Sequence, residues 1–203
     1  MGAGTDLAAA LTRLDEITRR LRRDCPWDRD QDERSIVPHT VEEAYELADA
    51  AHSGDDAKLL DELGDVLFQV YFLALLLEER GQGDLAGVAD HVREKLIRRH
   101  PHVFGSVDAD TADEVRRNWD QIKRDDERGG AIFGDIPENM PSTLYAKKVL
   151  KRAETAGFVL DSDSEDPGER LLAAVRAAVD AGVDPELALR RAADRFKNEV
   201  DGA

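Results

Sequence analysis

Glu42, Glu43 and Glu46 lie within a single five-residue span, and Glu62 and Asp65 follow as a second group. On a helix, positions 42 and 46, 43 and 46, and 62 and 65 are each one turn apart. Each group therefore gathers its carboxylates on one helical sector. Gly54 lies between the groups and predicts a tight turn, so the two helices pack antiparallel and five carboxylates converge. Such an all-oxygen donor set suits Mg²⁺, or Mn²⁺, better than zinc. The competing reading is a solvated acidic face, because 44 of the 203 residues are Asp or Glu and the spacing alone is a weak signal. Against that reading, Asp61, Glu62 and Asp65 are the only charges between Leu59 and Leu77. Leu63, Val66, Leu67 and Val70 leave little of that helix to face water. Carboxylates left there without a partner are costly, and a bound cation removes the cost.

The run HVREKLIRRHPHVF at residues 91–104 is a basic island in an acidic chain. Lys95, Arg98 and Arg99 share a helical sector there. They could clamp phosphate oxygens, with arginine binding in bidentate fashion. A basic helix end that complements the macrodipole explains them equally well. Asn118, Trp119, Ile122 and Lys123 fall on one later helix. Trp119 could stack on a base while Asn118 reads its edge, and a core tryptophan fits the same spacing. Trp27 follows a loop proline and either caps the same pocket or plugs the end of the bundle. Cys25 has no histidine at a catalytic spacing and reads as structural.

These groups need a scaffold, and the composition describes one. Aromatics make up 5% of the chain and charged residues 35%, which predicts an all-α, well-solvated protein. A net charge of −16 argues against direct binding of duplex nucleic acid. One cysteine excludes a disulfide framework and a cysteine-based zinc site, and it suits a reducing compartment. The apolar run Val66–Leu77 is interrupted by Gln69 and is too short to span a bilayer. Residues 5–23 mix charges with Leu and Ile, so no signal peptide is apparent and a cytoplasmic location is expected.

Apolar periodicity predicts a helix over 6–23 with a stripe of Leu7, Leu11, Leu14, Ile17 and Leu21. Pro26 then predicts a break and a loop as far as Pro38. Helices follow over 37–53, with an apolar face of Val41, Ala44, Tyr45, Ala48 and Ala51, then over 56–80 and 85–99. Another begins near Thr111, where Thr111 and Glu114 resemble a capping box. Glycines and prolines in 128–142 predict a linker. Helices are then expected over 142–156, 168–181 and 184–199. An acidic loop over 161–168 precedes the second of these, and Asp184 caps the last.

With these motifs in order, the chain resembles the MazG nucleoside triphosphate pyrophosphohydrolases. The resemblance rests on CPWD at 25–28, EEAYEL at 42–47, DELGDVLFQV at 61–70, KLIRRHPHVFG at 95–105 and NWDQIK at 118–123, and it covers residues 7–128. It implies a MazG-like four-helix bundle that dimerises. It also implies Mg²⁺-dependent hydrolysis of nucleoside triphosphates to the monophosphate and pyrophosphate, in a nucleotide-pool house-cleaning role. Carried over by position, Glu43, Glu46, Glu62 and Asp65 are metal ligands. Glu42 is a further ligand or orients the attacking water, so Glu42 and Glu43 are the catalytic candidates. Lys95, Arg98 and Arg99 hold the triphosphate, and Asn118, Trp119 and Lys123 face the nucleotide. The expected organisation is a catalytic domain over 5–128, a linker over 129–145 and, over 146–203, a helical extension. That extension resembles the remnant of a second MazG-like domain without metal motifs. A rival reading is a non-enzymatic helical module that binds metal or a protein partner.

Overall fold

The computed structural model describes residues 6–127, 131–160 and 164–202. All regular structure among them is helical, as the composition predicts. No helix among them is long and apolar enough to cross a membrane. The chain divides into two compact units with the boundary between Ile97 and Arg98.

The first unit opens with α1 (Leu7–Asp24), whose N-cap Asp6 accepts hydrogen bonds from the backbone N–H of Ala8 and Ala9. Cys25 is extended, the conformation favoured before proline, and ends the helix. The expected loop over 25–38 is largely absent. Pro26–Asp30 form a short helix, α2, and α3 (Glu33–Ser53) begins at Glu33 rather than at residue 37. The reason is a capping box. The Ser35 backbone N–H donates to the Asp32 carboxylate and the Asp32 N–H donates to the Ser35 hydroxyl, each at 2.9 Å. Once nucleated there, the helix runs through Pro38 and forgoes one backbone bond. Gly54, at φ +72°, terminates α3 in a conformation that favours glycine. Asp55 then caps α4 (Asp56–Glu79). After the turn at 81–83 comes α5 (Leu85–Arg99).

Ile36, Phe72 and Leu76 form the core cluster, with Phe68 and Leu73 against it. On α3, Ile36 and Ala50 are buried, and Thr40, Glu43 and Leu47 on the same line are half-buried. This corrects the expected inner face in part: Val41, Ala44 and Ala51 are exposed, whereas Tyr45 and Ala48 are half-buried as expected. The α1 stripe also lies largely open, with Leu7, Leu11, Ile17 and Leu21 exposed while Thr18 is buried. Polar pairs tie α1 to α4. Arg19 bonds Glu78 and Arg22 bonds Glu79. Arg22 Nη1 also donates to the backbone carbonyls of Asp28, Arg29 and Gln31 at 2.6, 2.9 and 2.9 Å. One guanidinium thus fixes the whole α2 turn.

The second unit contains α6 (Pro101–Phe104), a single turn that the sequence reading left out, and α7 (Ala112–Glu127). At the start of α7, Glu114 and Thr111 exchange the bonds of a capping box. Helices α8 (Ser142–Thr155), α9 (Pro167–Asp180) and α10 (Pro185–Asp201) pack on one another. Asp184 caps α10 and accepts from Lys147 Nζ at 2.7 Å, while Thr143 donates to Glu186. Of the expected linker, residues 131–141 carry no helix and Ser142 already opens α8. Gly129 and Gly130 lie outside the described residues, as do residues 161–163 of the acidic loop and the end positions 5, 128 and 203 of the expected domains.

The Arg22 clamp gives the first prediction. Its side chain is 18% exposed and its partners are backbone carbonyls and one carboxylate. Arg22→Ala is expected to lower the unfolding free energy by about 2–3 kcal/mol in urea titration. Arg22→Lys should recover little, because an ammonium cannot reproduce the planar fork.

Candidate metal and nucleotide site

The α3–α4 register places the acidic groups. Ile36 packs against Phe72 and Leu76 near the start of α3. One turn on, Thr40 donates to the Gln69 side-chain oxygen at 3.3 Å. The next inward residue of α3 is Glu43, which meets Glu62 and Asp65. Near the Gly54 turn, Lys58 Nζ bonds Asp49 at 2.7 Å. Each step along α3 is matched by a step back along α4, as an antiparallel pair requires.

One carboxylate oxygen from each of Glu43, Glu62 and Asp65 lies within 4.8 Å of the other two. Glu62 is only 9% exposed, Glu43 is half-buried and Asp65 is exposed. Burial, followed by the negative charges of Asp65, Glu46, Glu62 and Glu42, pushes the Glu43 carboxyl above its ordinary value. Burial, followed by Glu46, Asp65 and Asp61, does the same to Glu62, with Lys58 opposing. That lysine is bonded to Asp49, and its charge offsets only part of the shift at Glu62. The donors are all oxygen, close together and short of positive charge, a set that fits a hard divalent cation.

Glu46 and Glu42 stand outside this group of three, although both charges act on it. Glu46 is exposed on α3. The Glu42 carboxylate lies 3.8 Å from His39 Nδ1. Lys95 is half-buried on α5 in the first unit.

The other expected nucleotide contacts belong to the second unit. Arg98 is exposed and Arg99 is 6% exposed. The Arg99 guanidinium sits over the Trp119 ring, 5.5 Å from its centroid. His100 meets the same indole at 4.9 Å with the planes 68° apart. Asn118 and Lys123 are half-buried on α7 with Trp119. Two residues beside these groups escaped the sequence reading. His100 was visible only as part of the basic run. His39 lies one helical turn before Glu43, and that spacing was the signal available.

The MazG nucleotide pyrophosphohydrolase domain family model matches residues 31–104. A nucleoside triphosphate pyrophosphohydrolase of Escherichia coli (strain K12) is 34% identical over 221 aligned positions, spanning 92% of this chain and 84% of that protein. A nucleoside triphosphate pyrophosphohydrolase/pyrophosphatase MazG of Thermotoga maritima is also 34% identical, over 85% of this chain and 76% of the relative. The crystal structure of a mazG-related protein from Thermotoga maritima superposes with a TM-score of 0.48 at 28% identity, covering 56% of this chain and 98% of that one. Likeness at this identity across most of the length of both sequences places the chain in the MazG nucleoside triphosphate pyrophosphohydrolase family.

Proposed function

We propose that this protein is a Mg²⁺-dependent pyrophosphohydrolase, with Mn²⁺ as a substitute, which cleaves ribo- and deoxyribonucleoside triphosphates at the α-phosphorus. The observation that carries the metal assignment is the trio Glu43, Glu62 and Asp65 within 4.8 Å, with the carboxyls of Glu43 and Glu62 both pushed above their ordinary value. These three would hold the cation, and Glu46 would complete the set. A cation there supplies positive charge against the triphosphate and lowers the barrier to ionising water. Glu42 lies outside the trio yet beside it, and it accepts the proton as water attacks. Glu43 takes that role where it is not committed to the cation. The bond from water oxygen to the α-phosphorus forms as the α–β bridging bond breaks, and pyrophosphate leaves. Lys95, Arg98 and Arg99 are proposed as phosphate ligands, and Asn118, Trp119 and Lys123 as nucleotide-facing residues, on the resemblance of their motifs. Cleansing of the nucleotide pool in the cytoplasm is the role proposed for this activity.

The unit is proposed to work as a homodimer. Val37 and Val41 on α3, and Leu60, Leu63, Leu67 and Val70 on α4, are large apolar residues between 38% and 73% exposed. Apolar stripes at helical spacing are the composition of a helix–helix interface, and a second copy offers the same stripes in return.

Three outcomes test this reading. Pyrophosphate release from a panel of eight ribo- and deoxyribonucleoside triphosphates is expected with Mg²⁺ and not without it. Asp65→Ala is expected to lose at least ~100-fold in kcat/KM while keeping its helical circular dichroism. Orthophosphate in place of pyrophosphate would refute cleavage at the α-phosphorus. Second, the raised folded-state pKa of Glu62 makes its charged form a penalty. That penalty is full above the raised value and absent below the ordinary carboxylate value. In metal-free buffer at pH 7, Glu62→Gln is therefore expected to melt higher than wild type, with the gap closing as the pH falls through the carboxylate range. Added Mg²⁺ should raise the Tm of the wild type and leave that of the variant unchanged. Third, Val70→Glu is expected to give a monomer by light scattering where the wild type is a dimer.

A further inference from the structure

Gln69 is a buried polar group that the hydrolytic chemistry leaves unused. It is the only amide or charged side chain on α4 between Asp65 and Glu78, and it is 7% exposed. Burying an amide among apolar neighbours is costly unless both its ends are bonded. One end is bonded: Oε1 accepts from the Thr40 hydroxyl at 3.3 Å. Among the described residues, Nε2 donates to no acceptor. Two N–H groups are therefore left over on a side chain almost fully withdrawn from water. A leucine or methionine would fill this position without that cost, so packing alone does not account for the glutamine.

The antiparallel helix pair dictates what those N–H groups face. Gln69 follows Asp65 by one turn and Glu62 by two, so the three share one face of α4. On α3, which runs the other way, Thr40 precedes Glu43 by one turn. Long side chains on a helix lean toward its N-terminus. Gln69 therefore leans back toward Asp65, and Glu43 leans back toward Thr40. The two side chains converge on the space between the Thr40–Gln69 bond and the three carboxylates. With its oxygen held by Thr40, the amide turns its nitrogen toward that space.

We infer that Gln69 is a positioning residue for the cation site: its Nε2 donates to the Glu43 carboxylate oxygen that the cation leaves free, and Thr40 fixes the amide. This inference rests on the metal reading of Glu43, Glu62 and Asp65 and adds the group that orients the first of them. A donor on one carboxylate oxygen stops the group from rotating and aims the other oxygen at the ion. A neutral amide suits the task. It adds no further negative charge to a crowded cluster, and it does not compete with a cation as a lysine would.

The test follows binding of Mn²⁺ alone to the full chain by electron paramagnetic resonance, beside melting in metal-free buffer. Gln69→Met keeps the volume and removes both ends of the amide. The Thr40 hydroxyl is not stranded, because the Ile36 carbonyl lies 3.4 Å from it. The metal-free Tm is therefore expected to stay close to that of the wild type, while the Mn²⁺ dissociation constant rises by at least roughly 10-fold. In turnover, Gln69→Met should need more Mg²⁺ for half-maximal rate, and excess Mg²⁺ should return most of kcat. Thr40→Val should weaken Mn²⁺ binding by less, and it should add nothing in the Gln69→Met background, because it acts through the amide. The inference is overturned if Gln69→Met binds Mn²⁺ like the wild type, or if the two substitutions add. It is overturned too if binding falls only in step with the metal-free Tm, which marks a register bond and nothing more. A loss of kcat that excess Mg²⁺ does not restore would also overturn it, since that places the amide against substrate. The cation reading fails separately, if the wild type binds no Mn²⁺ or if Asp65→Ala binds it undiminished.

Discussion

Everything at the candidate site depends on the α3–α4 register, and that register works against a repulsion. Glu43, Glu62 and Asp65 oppose one another within 4.8 Å, and burial adds to the cost of charging two of them. Nothing in the cluster itself draws the helices together. The attraction comes from either end. Ile36, Phe72 and Leu76 pack on the side away from the turn, with the Thr40–Gln69 bond beside them, and Asp49–Lys58 closes the pair near Gly54. Apolar burial is non-directional, so it brings two helices together without fixing their register. The polar bonds on both flanks of the carboxylates are directional and supply that register. The site is an electrostatically unfavourable segment built into an otherwise favourable hairpin, and the proposed divalent cation would convert its repulsion into binding energy.

Much of this was legible in the sequence because helical arithmetic is reliable. The i,i+3 and i,i+4 spacings identified the acidic sectors, Gly54 the turn, and Thr111 and Asp184 the helix starts. The failures have physical causes. Pro38 was taken as the end of a loop, yet Asp32 and Ser35 nucleate a helix strong enough to carry a proline in its second turn. The α3 face was chosen by apolarity, whereas the inner face includes Thr40 and Glu43. Those two polar residues are there to be bonded and to serve the site, and hydrophobicity alone cannot find them. Trp119 was read either as a ring for a base to stack on or as a core tryptophan. Its ring contacts are with Arg99 and His100, partners that the spacing of a single helix could not show.

The expected α3 stripe lies largely beside the packed line rather than on it. At about 100° per residue, Ile36, Thr40, Glu43, Leu47 and Ala50 define the core-facing line of α3. Val37, Val41, Ala44 and Ala48 fall on one flank of that line, and His39, Glu42 and Glu46 fall on the other. The helix thus carries three sectors: packing in the middle, open apolar surface to one side and the catalytic candidates to the other. On α4, Leu60, Leu63, Leu67 and Val70 likewise stand off the line of Glu62, Asp65, Gln69, Phe72 and Leu76.

This division reconciles two demands that would otherwise conflict. A short helical hairpin that gathers carboxylates has little core left for its own stability, and the proposed association would supply further burial. Association through the sector that holds the carboxylates would close the site to a triphosphate. The proposed association through the opposite flank would bury Val37, Val41 and their α4 counterparts while His39, Glu42 and Glu46 stayed open to solvent. The firmly held Trp27 turn reaches α3 at His39, on that open flank. Ligand chemistry and subunit contact can therefore be selected separately along the same helix. On the proposed reading, a substitution on one flank would change substrate handling and one on the other would change assembly, while both flanks depend on the same buried line of Ile36, Phe72 and Leu76.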